Sequence, residues 1–245
     1  MNKYYHVLNG DALAERFPSS IKGETIIMRE CLVDGPVLAA SYEEFLQLRS
    51  RYLDTTYPDY APDTYEDYVA SQLSILQEIP ELSIVYLWFE KDVFCQVNAW
   101  FILNQFSLQS KNLEIYWVLP TSTLHWGFAG MDNKALQSAF ENATPVNTKH
   151  EALLSRLWHA FSKKDLKTLN EILNSPDVLE FVKPAVEAVI GEIESEESKE
   201  LIREIVSENN NPTFGKVFKE FHSRGAIYGY GDLLVKRMFD EIIQN

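Results

Sequence analysis

HVLNGDALAE, residues 6–15, carries a short apolar run into an Asn-Gly-Asp turn and on into a helical pattern. A strand that feeds a helix through a glycine turn is the building unit of an α/β sheet, so this stretch decides the fold if the unit recurs. It does. ETIIMRE (24–30), SIVYLWFE (83–90) and LEIYWVL (113–119) join YYHVLN (4–9) as compact runs of β-branched and aromatic residues. Such runs suit buried, mainly parallel strands. Helical patterns lie between them: ALAERF after the first, YEEFLQLRSRYL (42–53) and YEDYVASQLSILQEI (65–79) after the second, VFCQVNAWFILNQF (93–106) after the third. The last is apolar almost all round, as a helix sandwiched between sheet and other helices would be. The spacing predicts an open, mainly parallel α/β sheet with helices on both faces over residues 1–122. After Pro120 the character turns helical, which predicts an all-helical domain over 123–245 with a helix-turn-helix-like end.

In an open α/β sheet, ligands sit beyond the carboxyl ends of the strands. Three of the four strands end there in acid-bearing turns: Asn9-Gly10-Asp11, Glu30 to Asp34-Gly35-Pro36, and Glu90-Lys91-Asp92 with Gln96 one turn into the next helix. Asp11, Asp34, Glu90 and Asp92 are therefore the candidate catalytic acids, and Asn9, Gly10, Gly35 and Gln96 the candidate ligand contacts. Convergent carboxylates repel unless a cation, a shared proton or a basic residue neutralises them. Mg²⁺ on Asp11 and Asp92, completed by substrate phosphates, is one solution, with Gly10 letting a phosphate approach the following helix. His6, Arg29 and Lys91 are the nearby groups able to balance charge. Each candidate also has a structural alternative. Asp11 and Asp92 precede helices and can cap them, Asp34-Gly35-Pro36 can be an ordinary turn, and His6 can be a hydrogen-bonded core histidine. His125-Trp126-Gly127 either closes the crevice or packs at the domain boundary, and TYPDYAPDTYED (56–67) is either a lid or a helix connection.

With 22 basic and 36 acidic residues the chain carries a net charge of −14, which disfavours duplex DNA and anionic membranes as partners. No apolar run reaches the roughly 20 residues a membrane helix needs. Two cysteines, Cys31 and Cys95, are too few for a disulfide framework, which points to a reducing compartment and hence the cytoplasm. No nucleophile elbow, P-loop or zinc-spaced histidine cluster names a reaction class.

HVLNGDALAE, RECLVDGPV (29–37) and LWFEKDVFCQVN (87–98), with FAGMDNKALQSAF, the LWHAFSKKDLKTLNEIL helices and the terminal YGYGDLLVKRMFDEI, together resemble a bacterial family known as domain of unknown function 1835. The resemblance covers nearly the whole chain, and its matching positions are Asn9, Gly10, Asp11, Asp34, Gly35, Pro36, Glu90, Asp92 and Gln96. It implies no activity, because the family has none established. This chain departs from the family pattern at Lys91, where a histidine between the two acids would be expected. Two functions fit the sequence. One is a protein that binds a small phosphate-bearing or nucleotide-like ligand at the sheet's carboxyl end, with a divalent metal, and hydrolyses it. The other is a regulatory or adaptor protein that contacts another protein through residues 196–245.

Overall fold

The computed structural model describes residues 3–58, 60, 63–121, 127–210 and 212–244. Five strands form one sheet: β1 (Tyr4–Asn9), β2 (Glu24–Met28), β3 (Ile84–Trp88), β4 (Glu114–Val118) and β5 (Thr144–Val146), in the order β2-β1-β3-β4-β5. The first four are parallel, and β5 runs antiparallel to β4. Side chains alternate across the strands, as the two-residue period demands. Val7, Ile26, Val85, Leu87, Ile115 and Trp117 face the larger core, while Leu8, Trp88 and Val118 face a smaller one.

The smaller face is covered by α1 (Asp11–Ala14), a single turn, and by α5 (Asn133–Glu141). The larger face packs on α2 (Tyr42–Thr56), α3 (Ser71–Glu78), α4 (Val93–Gln109) and the helices of the second half. A π-helical turn, Glu66–Ala70, leads into α3. As its composition requires, α4 is buried almost all round, between sheet, α3, α6 (Thr148–Ser162) and α8 (Lys183–Ser195). Ser41, Asp92, Asp132, Asn147 and Asp165 fix the starts of α2, α4, α5, α6 and α7 (Leu166–Leu173), each accepting a backbone N–H with its side chain.

The sheet extends past the boundary read at 122. β5 belongs to it, α5 covers its smaller face, and the larger core runs without a break into the helical half. A three-residue edge strand with Pro145 at its centre gives no apolar run to recognise. At the chain's end, α9 (Glu197–Glu208), α10 (Phe214–Arg224) and α11 (Asp232–Ile243) turn Ile202, Ile205, Val217, Phe221, Val235 and Phe239 into that same core. Their arginines are engaged: Arg203 with Glu200, Arg224 with Glu204 and Glu208, and Arg237 with Asp34 and Glu241. No helix among the described residues is long and apolar enough to cross a membrane.

His6 is a core residue. Its Nδ1 accepts from Trp88 Nε1 at 3.2 Å, its Nε2 donates to Lys22 O at 3.2 Å, and it stacks on Tyr86. Burial lowers its pKa, so it stays neutral and balances no charge.

Arg49 of α2 fixes the long turn after β2. It is fully buried, and so is the side chain of Glu30, which it grips through Nε at 3.1 Å and Nη2 at 2.9 Å. Its remaining N–H groups donate to the carbonyls of Cys31, Asp34 and Pro36, and Tyr65 Oη completes Glu30 at 2.6 Å. Removing one partner of such a pair strands the other's charge in the core. Arg49→Ala should therefore cost about 3–5 kcal/mol, read from urea unfolding. Pairing it with Glu30→Leu should cost less than the sum of the two single changes, and strict additivity would show that the pair is not coupled.

Candidate functional site

The chain winds from β1 outward to β2, then crosses back over β1 to β3, so the strand order reverses between the carboxyl ends of β1 and β3. A crevice at such a reversal is where open α/β sheets hold ligands. Here it is flanked by the Asn9-Gly10-Asp11 and Glu90-Lys91-Asp92 turns. Asp92 caps α4 by accepting Cys95 N–H at 2.9 Å, which brings Cys95 to the same end of the helix. Glu90, Asp92 and Cys95 each offer a donor atom, and the three lie within 4.8 Å of one another.

A chain of amides stands behind them. Leu32 N–H donates to Asn98 Oδ1, Asn98 Nδ2 donates to Asn9 Oδ1 at 2.9 Å, and Asn9 Nδ2 donates to Cys95 Sγ at 3.0 Å. Glu90 is held twice more. Phe128 N–H reaches its Oε1 at 2.5 Å, and Gln96 Nε2 reaches its carbonyl at 2.6 Å. The buried Gln96 Oε1 has no hydrogen-bond partner among the described residues. Glu90, Cys95 and Asn9 open on a cavity of about 300 Å³ walled by Leu13, Trp88 and Phe128. Arg16 also lines it, but that guanidinium donates to the Phe128 and Met131 carbonyls.

Among the described residues no lysine, arginine or histidine forms an ion pair with Glu90 or Asp92. Burial, and then the negative charge of Asp92, pushes Glu90 up to about 7, while Phe128 N–H and Cys95 draw it back. Burial also pushes Asp92 up to about 6. The Cys95 thiol is raised well above its ordinary value by burial and then by the two acids, so it is no thiolate nucleophile as it stands.

The four candidate acids are not brought to one cavity. Asp11 is gripped by Arg29 through Nε at 3.0 Å and Nη2 at 2.7 Å, and receives Tyr68 Oη at 2.7 Å. Arg29 foremost lowers its pKa. Asp11 thus neither caps α1 nor stands with Asp92 as a metal ligand, and α1, one turn long, presents no phosphate site beyond Gly10. Asp34 faces a different cavity, where it accepts Tyr52 and Tyr57 hydroxyls, each at 2.6 Å, and Arg237 Nη2 at 2.5 Å. Gly35, at φ 80°, lies so close to the Tyr52 ring that a Cβ would stand 2.3 Å from it, which makes its role one of turn and packing. Lys91 is exposed. His125 and Trp126 lie outside the described residues, whereas Gly127 packs against the Glu90 carboxyl. Sequence reasoning missed Cys95 and Asn98. The signal available was polar residues at 95, 96 and 98 in an otherwise apolar helix start.

A carboxyl whose pKa is raised on folding binds its proton more tightly in the folded state, so stability falls as pH rises through the interval. For Glu90 that interval runs from about 4.5 to about 7, and the loss is on the order of 3 kcal/mol. Asp92 acts in the same sense just below it. Urea midpoints measured across this range should fall with rising pH, and Glu90→Gln should flatten the fall and stabilise the protein at about pH 8. Equal slopes for the two proteins would mean that Glu90 titrates normally.

No family model, curated protein or solved structure matches this chain, so the resemblance to the domain of unknown function 1835 stands on the motifs alone.

Proposed function

We propose that the protein binds a small phosphate-bearing or nucleotide-like ligand in the crevice between β1 and β3, with a divalent cation on Glu90, Asp92 and Cys95. One observation carries the proposal: two carboxyl groups and a thiol crowd together at the reversal of strand order, and among the described residues no lysine, arginine or histidine pairs with the acids. A cation resolves that crowding. It also makes a phosphate acceptable beside Glu90, which would otherwise repel it. The donor set fits such an ion. Sulfur among two oxygens favours a zinc-like cation over Mg²⁺, whose preference is for oxygen alone. Of the three ligands Glu90 and Cys95 line the cavity, which leaves a coordination position on that side for the bound molecule. Asn9 would orient that molecule or the sulfur, and Gln96 holds the Glu90 backbone in place. Binding, not turnover, is what this geometry supports.

Isothermal titration of Zn²⁺, Mn²⁺ and Mg²⁺ into chelator-treated protein tests the reading. One equivalent of Zn²⁺ should bind with release of protons, because the thiol and carboxyls must ionise to ligate. The melting temperature should rise with the free-ion concentration. Asp92→Asn keeps the helix cap, since Asn and Asp cap about equally, and should melt no lower than the parent while losing the cation. Zn²⁺ binding unchanged in both Asp92→Asn and Glu90→Gln would overturn the site. With the cation in place, nucleoside phosphates should bind more tightly than to the metal-free chain.

A further inference from the structure

Among the described residues that line the cavity beside Glu90 and Cys95, Arg16 is the only cation. It follows the short helix that covers the smaller face of the sheet. α1 ends at Ala14, and Arg16 N–H donates to Leu13 O at 3.1 Å, which continues the turn. Leu13 and Arg16, three residues apart, therefore lie on one side of it, Leu13 buried in the smaller core and both residues on the cavity wall.

How Arg16 is held decides what it can do. Its Nη2 donates to Phe128 O at 2.8 Å and to Met131 O at 3.4 Å. Among the described residues Nε and Nη1 have no acceptor, and no carboxylate pairs with the guanidinium. Carbonyls fix a guanidinium without cancelling its charge. Arg29, Arg49 and Arg237 differ in this respect, since each is bound to a carboxylate. Arg16 is thus oriented and still has donors and a positive charge to offer. Phe128 ties it to the cation site: its N–H donates to Glu90 Oε1 at 2.5 Å, while its carbonyl accepts from Arg16. Guanidinium and carboxyl therefore stand within about 10 Å of each other, across the backbone of one residue. A phosphate bridging a cation and a guanidinium spans a comparable distance, given about 2 Å for each bond to the cation and about 2.8 Å for the charged hydrogen bond.

We infer that the ligand is a phosphate monoester whose phosphoryl group lies between Arg16 and the cation on Glu90, Asp92 and Cys95. This rests on the cation site proposed above and names what that site takes. The free N–H groups of Arg16 suit phosphate oxygens, to which arginine gives strong charge-assisted hydrogen bonds. One cation and one guanidinium can hold one phosphate. A second would find no further cation in the described lining, and the exposed Glu15 there would repel it. An ester suits the walls, because Leu13, Trp88 and Phe128 offer apolar surface that inorganic phosphate would leave uncovered. The volume, about 300 Å³, is at the lower end of the usual range for small-molecule sites, which keeps the organic part compact.

Full-length protein carrying one equivalent of Zn²⁺ is titrated calorimetrically with inorganic phosphate, phenyl phosphate and pyrophosphate, and its zinc content is measured after each titration. Phenyl phosphate should bind most tightly of the three. Arg16→Gln keeps a donor for the Phe128 carbonyl and removes the charge, so it should bind Zn²⁺ as the parent does and phenyl phosphate about tenfold more weakly. Arg16→Lys keeps the charge and should lose less. Failure of Zn²⁺ to bind the parent overturns the cation site and this inference with it. Where Zn²⁺ binds, three results overturn the inference alone. One is equal phenyl phosphate affinity in the parent and Arg16→Gln. Another is loss of Zn²⁺ binding in Arg16→Gln, which would make Arg16 a support for the Phe128 loop. The third is tighter binding of pyrophosphate than of phenyl phosphate to protein that keeps its zinc.

Discussion

A carboxylate taken out of water has to be paired, protonated or bound to a cation. The turns after β1, β2 and β3 hold five carboxyl groups, and how each meets this requirement organises the carboxyl end of the sheet. Asn9 sits opposite Met28 in the ladder, so Arg29, one residue further on, reaches across to Asp11 at the end of the neighbouring strand. Glu30 points inward and takes Arg49 from α2. Asp34 takes Arg237 from α11. Arginine suits all three places, because its planar fork stays charged and can bind a carboxylate and carbonyls together. Among the described residues no arginine, lysine or histidine pairs with Glu90 or Asp92, and that contrast is what marks them out from the other acids.

The isolation of Asp92 is produced by the far end of the chain. Gly229, at φ 64°, lies against it so closely that a Cβ there would stand 2.1 Å from Oδ1. Only glycine fits this position, for the close approach and for the backbone conformation alike. The turn before α11 therefore forms the lid over Asp92, and burial is the largest cause of that residue's raised pKa. Arg237 fastens the same helix to Asp34 and Tyr57. The helical half thus contributes to the burial that raises Asp92.

How much of this could be read in the sequence differs from element to element. The four parallel strands and α2 and α4 were legible because periodicity and composition are local properties. β5 was not, since three residues with a central proline carry neither. α1 ends after one turn, although ALAERF promised more. At the site, Glu90, Asp92 and Gln96 could be read from their spacing in a strand-end turn. The fate of Asp11 and Asp34 could not. It depends on Arg29 across a strand pair and on Arg237, 203 residues away in the chain, and neither pairing leaves a local pattern. Cys95 and Asn98 escaped notice because they sit in a helix apolar enough to read as pure core.

The amide chain behind the cluster has a fixed direction, and the direction carries chemical meaning. Asn98 Oδ1 accepts from Leu32 N–H, which leaves Asn98 Nδ2 to donate to Asn9 Oδ1 and turns Asn9 Nδ2 onto Cys95 Sγ. Three aligned amides thus end by giving a hydrogen bond to sulfur. A neutral thiol is a weak acceptor, so such an arrangement is of little use to it, whereas a sulfur carrying negative charge is stabilised by every donor it receives. Buried beside the two acids, Cys95 does not readily ionise. With a cation it would, and the donor from Asn9 would then meet a thiolate. The orientation of Asn9 and Asn98 is thus suited to an ionised Cys95, the state a metal ion would create, and the cost of holding it is shared among side chains that α4 and β1 already bury for packing.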